Sequence, residues 1–429
     1  MRWDGRGRRL MPERIVILGN SGAALAAVGA LQARRGERSI TMVSKEACYA
    51  YSPVLTTYYV RGSWPESKLY LTDADFYRQR NIACHFGTAA VELDAAAQRV
   101  TLDNGTRLGY DKLLIATGAS PKQVRGLEPA AAADICYLRT IEDARRIRER
   151  ATHAKHAIVL GAGLVSLQVA AAIARPDLRV TCIVSSQHIL SQNIDATCAE
   201  LLRGHIERAA PIEFLFGTDV SEVTRGRTRW RVRLGSGAEL EGDMLVAGKG
   251  VAPNVEFIDS QQINLDRGVL VDDSLRTNVP NIWAAGDVAQ GRNRLTGAVE
   301  VVANWIDAAE QGAFAGANMA GDERTFAGSL AENITTLFAV PLASIGVTKS
   351  QPEAGLREVV HLDERHGVYR KVVLRDDRLV GATLLRDVRD AGVLRGAIAA
   401  GKPSWAAAEA VARGHMRFAD LLKSGRTHG

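Results

Sequence analysis

Two segments far apart in the chain share one pattern, and this repeat is the strongest constraint on the fold. Residues 14–31 (RIVILGNSGAALAAVGAL) and 157–174 (AIVLGAGLVSLQVAAAIA) each begin with apolar, β-branched residues, continue through a glycine turn and end in an Ala-rich run. This order predicts a buried strand, a tight turn and a helix, the opening of a βαβ unit. Glycine turns of this kind let a backbone approach a pyrophosphate. The repeat therefore predicts two dinucleotide-binding Rossmann units.

The first turn fits the GxGxxG pattern with substitutions. Gly19 holds the first position, whereas Ser21 and Ala24 hold the second and third. Both side chains are small enough for close approach of the backbone and for helix–strand packing. The next strand ends at Glu46, at the spacing where an acidic residue can hydrogen-bond a ribose diol.

The second turn keeps Gly161 and Gly163 and has Ser166 at the third position. The strand after it ends in Ser185, where an acid would normally bind the 2′-hydroxyl of NADH. Without that acid nothing repels a 2′-phosphate, so we expect NADPH to be tolerated, and the choice between NADH and NADPH stays open. His188 could donate to such a phosphate, or it could be an ordinary surface residue. Two dinucleotides in one chain predict hydride transfer between them.

Three further segments carry a resemblance to a known family. They are YDKLLIATGASP (110–121), MLVAGKGVAPN (244–254) and NIWAAGDVAQ (281–290). In this order, and combined with both glycine turns, they resemble the pyridine-nucleotide FAD-dependent oxidoreductases. The resemblance implies that the first unit holds FAD and the second holds NAD(P)H.

Site residues are implied by matching this sequence to the family's motifs. Asp287, at the start of a helix, is expected to accept a hydrogen bond from the ribityl chain of the flavin, and Gln311 and Gly312 are expected to face the isoalloxazine. The implied FAD contacts are Gly19, Ser21, Gly22, Ala23, Ala24, Glu46, Ala90, Ala116, Thr117, Gly118, Gly286, Asp287, Gln311 and Gly312. The implied NAD(P)H contacts are Gly161, Gly163, Ser166, Gln168, Ser185 and Gly250.

The resemblance also implies the domain plan. We expect an α/β protein with two Rossmann-like domains, the second inserted in the first, and a small α+β C-terminal domain. A disordered tail is expected at 1–11. The FAD domain is expected to span 12–122 and 251–322, the NAD(P) domain 123–250 and the C-terminal interface domain 326–429. Within the last domain, YRKVVLRDDRLVGATLL alternates apolar and polar residues around Asp-Asp, which predicts a β-hairpin.

Departures from the family narrow the chemistry. NADH peroxidases and coenzyme A disulfide reductases carry a cysteine where this chain has Val54, and the cysteine pair of glutathione-reductase-type enzymes is missing. The flavin is then the redox centre, without a catalytic side chain or a metal. Gln168 stands where relatives often have Glu near the nicotinamide. Tyr58, Tyr59 and Trp305 could lie near the flavin ring or belong to the core.

The expected function is electron transfer between NAD(P)H and an iron–sulfur or rubredoxin-like partner or subunit. This follows from resemblance to the flavoproteins of nitrite and nitrate reduction, to ferredoxin and rubredoxin reductases and to the flavin subunit of phenylglyoxylate dehydrogenase. Two alternatives stay open: an NAD(P)H oxidase or quinone reductase with a small acceptor, and a flavin-bound interaction protein. A homodimer could form through the C-terminal domain.

Composition excludes other classes. The net charge of +6 is modest, and no basic stripe interleaved with aromatic residues predicts nucleic-acid binding. The apolar runs fall far short of the ~20 residues of a membrane-spanning helix. Five scattered cysteines without a CxxC pair suit a reducing compartment, so we expect a cytoplasmic protein.

Overall fold

The computed structural model describes residues 12–124, 127, 129–349, 355–401 and 405–414. The predicted tail at 1–11 lies outside this part of the chain. The protein divides into two compact units. The first unit comprises the residues up to Val54, Glu66–Ser120 and Val251–Ser329, and the second comprises Leu55–Pro65, Pro121–Gly250 and the residues from Leu330 onward.

The helices and strands alternate through most of the chain. The helices are α1 Gly22–Gln32, α2 Thr56–Val60, α3 Ala74–Gln79, α4 Pro129–Asp134, α5 Ile141–His153, α6 Leu164–Ile173, α7 Ala196–Ala209, α8 Trp305–Met319, α9 Ala391–Ala400 and α10 Trp405–Ala412. The strands are β1 Glu13–Leu18, β2 Arg38–Ser44, β3 Ile82–Phe86, β4 Ala90–Asp94, β5 Arg99–Leu102, β6 Arg107–Gly109, β7 Lys112–Ile115, β8 Ala119–Pro121, β9 His156–Leu160, β10 Arg179–Val184, β11 Ile212–Phe216, β12 Val220–Arg225, β13 Trp230–Leu234, β14 Glu239–Gly242, β15 Met244–Ala247, β16 Val251–Pro253, β17 Val269–Leu270, β18 Ile282–Ala284, β19 Ala289–Arg292, β20 Val299–Glu300, β21 Glu332–Leu337, β22 Val340–Gly346, β23 Leu356–Asp363, β24 Val368–Arg375 and β25 Arg378–Leu385.

The first unit is built on a parallel sheet in the order β18-β7-β1-β2-β3. Its central strand β1 is buried from Ile15 to Leu18, as expected for a strand covered on both faces. Leu18 lies beside Val43 of β2 and Ile115 of β7, so these three strands end together. In an open α/β sheet this carboxyl edge is where ligands bind.

Helices α1 and α8 pack closely in the first unit because small residues meet where they touch. A Cβ at Gly312 would lie 2.1 Å from the Ala23 carbonyl oxygen, and one at Gly316 would lie 2.5 Å from that of Ala27. Any side chain at these two positions would push the helices apart. The sheet is thereby covered by a helix pair whose spacing is set by glycine.

The second unit contains a parallel sheet in the order β11-β10-β9-β15 and a C-terminal antiparallel sheet in the order β21-β22-β25-β24-β23. The sheets share one hydrophobic core, in which Leu337, Leu342 and Tyr369 pack with residues of the parallel sheet and its helices. The predicted hairpin is confirmed: β24 and β25 pair antiparallel, and Asp376 and Asp377 take left-handed φ values of 48° and 58° in the turn. The predicted α/β class is likewise confirmed.

None of the helices among the described residues is both long and apolar enough to cross a bilayer.

Candidate functional site

The first glycine turn is closely packed against the neighbouring strands. Gly19 has a φ of 133°, and a Cβ there would lie 2.1 Å from the carbonyl oxygen of Ala116. Its N–H donates to the Val43 oxygen at 2.8 Å, and the Ala116 N–H donates to the Leu18 oxygen at 2.8 Å. The turn is therefore held between β2 and β7, and only glycine fits at its first position.

The helices that follow the two glycine turns begin without a side-chain cap. Ser21 at the N-cap of α1 makes no capping hydrogen bond, and Gly163 at the N-cap of α6 has no side chain to make one. Helices α2 and α9 also lack such a cap, whereas α3, α5, α7 and α8 are each capped by an Asp, Thr or Asn side chain. Uncapped helix N-termini leave N–H groups for an anion, and the helix dipole favours negative charge. Both turns thus fit the pyrophosphate of a dinucleotide.

Asn20, between Gly19 and Ser21, fixes the first turn from the side. Its Nδ2 donates to the Cys48 oxygen at 3.3 Å, and its Oδ1 accepts from the hydroxyl of buried Tyr77 at 2.8 Å. The same hydroxyl lies 2.9 Å from Thr72 Oγ1. Sequence reasoning missed Tyr77, since no local pattern links a tyrosine in α3 to this turn.

Glu46 follows β2 and is half-buried. The Tyr51 hydroxyl donates to its Oε2 at 2.7 Å, which orients the carboxylate. Ala90 is the first residue of β4 and is also half-buried.

The Ala116-Thr117-Gly118 turn is tied to the segment where the chain re-enters the first unit. Thr117 Oγ1 donates to the Asn254 oxygen at 2.9 Å, and Asn254 Nδ2 donates to the Thr117 oxygen at 2.8 Å. The Asn254 N–H donates to the Gly118 oxygen at 2.9 Å, and Gly118 has a φ of 67°. This reciprocal pairing holds the turn at the carboxyl end of β7.

Gln311 braces the turn at Gly286 and Asp287. The Gly286 N–H donates to Gln311 Oε1 at 2.7 Å, and Gln311 Nε2 donates to Asp307 Oδ2 at 2.8 Å and Ser329 Oγ at 3.0 Å. These bonds use both N–H groups of the buried Gln311 amide and one lone pair of its oxygen. The structure therefore gives Gln311 a role in shaping the turn before Asp287, which is half-buried.

The three aromatic candidates, Trp305, Tyr58 and Tyr59, lie in different units. The Trp305 ring lies 3.3 Å from where a Cβ of Gly22 would stand, so it packs over the first turn. Tyr58 stacks on Trp64 with centroids 5.0 Å apart, and Arg148 lies 4.6 Å over the Tyr59 ring, all within the second unit. Of these three candidates, Trp305 is the one that contacts a predicted FAD residue within its own unit.

The first position of the second glycine turn is packed like that of the first turn: a Cβ at Gly161 would lie 2.8 Å from the Gly248 oxygen, and the Gly161 N–H donates to the Ile183 oxygen at 2.8 Å. Gly161 has a φ of 106°, and Ser166 Oγ donates to the Gly248 oxygen at 3.4 Å, which ties α6 to the strand beside it. Gly163 is exposed, and a Cβ there would meet nothing within 4 Å. Gly250 is also exposed, with a φ of 88° and no atom near a Cβ position.

At the end of β10, the groups available to a nucleotide are Ser185, which is exposed, and His188, which is half-buried. His188 Nδ1 lies 2.9 Å from the Ile189 oxygen, so a neutral ring that donates this bond has no proton on Nε2. A pocket of about 310 Å³ borders His188, Glu200 and Arg203. Arg203 is already paired with Glu200 and with Glu207, the latter at 2.9 Å.

Gln168 lies on the second turn of α6, and its Nε2 donates to Thr335 Oγ1 of β21 at 3.0 Å. The C-terminal sheet thereby contacts a residue predicted to bind the nicotinamide. This contact joins segments remote in sequence, and sequence reasoning missed it.

All five cysteines are free. Burial raises the pKa of Cys136 and raises that of Cys182 to about 12, so these thiols stay protonated. Val54, which the resemblance matches to the reactive cysteine of NADH peroxidases and coenzyme A disulfide reductases, is 52% exposed. The described side chains thus offer no thiolate partner for a flavin at this position.

Comparisons with known proteins agree with this geometry. The family model described as pyridine nucleotide-disulphide oxidoreductase matches residues 13–312, and the model described as the C-terminal domain of rubredoxin NAD+ reductase matches residues 333–402. The NADH-dependent phenylglyoxylate dehydrogenase subunit epsilon of Aromatoleum evansii is 32% identical over 90% of this chain and 91% of its own length. The ferredoxin–NAD+ reductase component of the anthranilate 1,2-dioxygenase system of Burkholderia cepacia is 32% identical over 90% of this chain and 94% of its own.

A solved structure shows the same fold. The structure titled as the covalent putidaredoxin reductase–putidaredoxin complex aligns with a TM-score of 0.83 at 23% identity, over 91% of this chain and 94% of the other. As the motifs predicted, the chain belongs to the pyridine nucleotide-disulphide oxidoreductase family, whose members are FAD-dependent NAD(P)H oxidoreductases.

Proposed function

We propose that this protein carries electrons between NADH and an iron–sulfur or rubredoxin-like protein. One observation carries the proposal: each unit has a glycine turn followed by an uncapped helix N-terminus, while the position of the family's reactive cysteine is Val54. Two dinucleotide sites without a thiol leave the flavin as the centre through which electrons pass.

FAD is assigned to the first unit. The N–H groups at the start of α1, behind Gly19, would hold the pyrophosphate, and the carboxylate of Glu46, oriented by Tyr51, would accept from the ribose diol. Asp287 would accept a hydrogen bond from the ribityl chain. Ala90 and the turn from Ala116 to Gly118 complete the proposed contacts. Gln311 and Gly312 would act through packing, because the first braces Gly286 and the second sets the spacing of α1 and α8.

NADH is assigned to the second unit, with its pyrophosphate at Gly163 and the start of α6. Ser185 would lie on the adenosine side, and Gln168 and Gly250 on the nicotinamide side. We propose NADH rather than NADPH as the better donor. Arg203, the cation beside the pocket, is paired with two carboxylates, and Nδ1 of His188 is engaged by the Ile189 oxygen. The names of the two relatives above, which specify NADH and NAD+, agree with this preference.

The partner is inferred from the C-terminal domain and the relatives. The chemistry that FAD supplies when bound is two-electron exchange with a nicotinamide and single-electron exchange with an iron–sulfur centre. Residues 333–402 match the C-terminal domain of rubredoxin reductases, and one relative is a ferredoxin reductase component. A homodimer through this domain and a cytoplasmic location are further parts of the proposal.

An anaerobic titration tests the function. The FAD-loaded protein is titrated with NADH and separately with NADPH while the flavin absorbance is followed, and oxidised rubredoxin or a [2Fe–2S] ferredoxin is then added. We expect NADH to bleach the flavin at lower concentration than NADPH and the iron–sulfur protein to restore the absorbance. Failure of both nucleotides to bleach the flavin would overturn the proposal in favour of an interaction protein. Reoxidation by oxygen or a quinone but by no iron–sulfur protein would favour a small acceptor.

A further inference from the structure

The amide of Gln168 is held from outside the nucleotide-binding segment. Gln168 stands three residues after Val165 on α6, and residues at this spacing share a helix face. Val165 is 43% exposed, whereas Gln168 is half-buried because Thr335 of β21 covers one end of its amide. The contact is Gln168 Nε2 to Thr335 Oγ1 at 3.0 Å.

In the orientation that the structure shows, this hydrogen bond engages the nitrogen of the amide and leaves its oxygen free. A glutamine side chain has a donor end and an acceptor end, which are related by a flip. Thr335 engages the donor end, and Gln168 Oε1 makes no hydrogen bond to any residue that the structure describes. The free end is therefore a carbonyl oxygen, an acceptor without charge.

Thr335 is itself held firmly. It pairs with Leu342 in the antiparallel ladder of β21 and β22, two residues before the fully buried Leu337. The sheet is fixed to the N-terminus of α7, where Tyr369 donates to Asp195 at 2.7 Å and buried Lys371 pairs with the same carboxylate at 2.6 Å. The hydroxyl of Thr335 is thus a fixed point relative to α6.

We propose that Thr335 is a positioning residue for nicotinamide recognition. It turns the Gln168 amide so that Oε1 accepts a hydrogen bond from the carboxamide NH₂ of the nicotinamide. The inference rests on the proposed nicotinamide site and gives the C-terminal sheet a part in it. A carboxylate at position 168 would not need this help, because both of its oxygens accept hydrogen bonds.

Binding measurements on the oxidised, FAD-loaded protein test the inference. Calorimetric titrations use NAD+, its 3-acetylpyridine analogue, in which a methyl group replaces the carboxamide NH₂, and ADP-ribose, which lacks the ring. Thr335→Val keeps the side-chain shape and removes the hydroxyl. We expect it to weaken NAD+ binding about five-fold, the value of one ordinary hydrogen bond. The acetylpyridine analogue and ADP-ribose should bind as before.

The matched control is Thr336→Val, the same change on the next residue, which is exposed. It should leave the binding of all three ligands unchanged. Gln168→Glu supplies the second test: in that background Thr335→Val should no longer weaken NAD+ binding, because either carboxylate oxygen can accept.

The outcomes separate the hypotheses. Equal weakening of all three ligands by Thr335→Val, or no weakening of NAD+, would overturn the positioning role. The same loss in the Gln168→Glu background would also overturn it. If the parent protein binds ADP-ribose and NAD+ with no measurable affinity, the proposed function itself fails.

Discussion

The two glycine turns follow one plan but differ in what surrounds them. At the first turn, Gly19 lies against Ala116, Asn20 is bonded to Tyr77, and the Trp305 ring packs over Gly22. At the second, Gly161 likewise lies against Gly248, but a Cβ at Gly163 would meet nothing within 4 Å. Both turns are thus packed at their first glycine, and they differ because Tyr77 and Trp305 contact the residues that follow in the first turn.

This difference matches the two ways in which a redox enzyme uses dinucleotides. A cofactor that stays bound benefits from a rigid, preorganised site, because little ordering then has to occur on binding. A substrate nucleotide must enter and leave in each cycle, which favours an accessible turn. The aromatic contacts at the first turn therefore suit a cofactor that stays bound, in line with the proposed assignment of FAD to the first unit.

The largest effect should come from closing the first turn to its cofactor. Gly19→Ala forces a side chain onto a φ of 133° and places its Cβ 2.1 Å from the Ala116 oxygen. We expect protein that is purified without flavin or that does not fold, judged by the ratio of flavin to protein absorbance and by thermal unfolding. Gly29→Ala is the matched control on α1, where a Cβ meets nothing within 4 Å. It should retain FAD and gain up to about 1 kcal/mol from helix propensity. A Gly19→Ala protein with a full complement of FAD would contradict the description of a closely packed first turn.

The corresponding change at the second turn should act on the ligand alone. Gly163 has a φ of −77°, which alanine adopts easily, and its Cβ would meet no protein atom within 4 Å. We expect Gly163→Ala to leave flavin content and melting temperature unchanged while raising KM for NADH roughly ten-fold, or about 1.4 kcal/mol. Steady-state kinetics with ferricyanide as acceptor would measure this. An unchanged KM would show that the nucleotide does not approach the backbone here.

A smaller effect should follow from loosening the first turn without blocking it. Tyr77→Phe removes the hydroxyl that donates to Asn20, accepts from the Ala50 N–H and lies beside Thr72. Loss of these hydrogen bonds is worth about 1–2 kcal/mol, so we expect FAD affinity to fall roughly ten-fold. Flavin fluorescence on dilution would measure release. Tyr137→Phe, which removes a hydroxyl bonded to the Val124 N–H in the second unit, should leave FAD affinity unchanged.

The features that the sequence could predict are those that depend on local patterns. Gly19 and Gly161 can be located because a turn with positive φ requires glycine locally, and the strands and helices around them follow from short-range patterns. The Asp-Asp hairpin is predictable for the same reason. Each of these features depends on residues adjacent in the chain.

Features that depend on packing could not be predicted. The partners of Asn20, Gln311 and Gln168 are Tyr77, Gly286 and Thr335, each supplied by another element. The grouping of Leu55–Pro65 with the second unit depends on contacts of α2 with α5 and α6. A single sequence carries no record of which distant side chain completes a hydrogen bond, so such positioning residues emerge only from the fold.

The smallest expected effect is a pH dependence of stability that differs between β1 and β9, the strands that lead into the two turns. β1 begins with an exposed Arg14–Asp111 ion pair, whereas β9 begins with His156, whose Nε2 lies 2.9 Å from Thr181 Oγ1. Burial lowers the pKa of His156 below its ordinary value, with Arg179 acting in the same direction and the Glu241 backbone opposing it.

Because the folded state disfavours the imidazolium, His156 contributes stability above the unfolded-state pKa of about 6.5, and this contribution is lost as the pH falls. The ring is only partly buried, so we expect a loss of less than about 1 kcal/mol between pH 7.5 and 5.5. The melting temperature of the second unit, measured without ADP-ribose across this pH range, should show this loss of stability. His156→Gln keeps a hydrogen-bonding group beside Thr181 but does not titrate, so its melting temperature should depend less on pH across this range. If the melting temperatures of the parent and the variant depended on pH in the same way, His156 would not make β9 sensitive to acid.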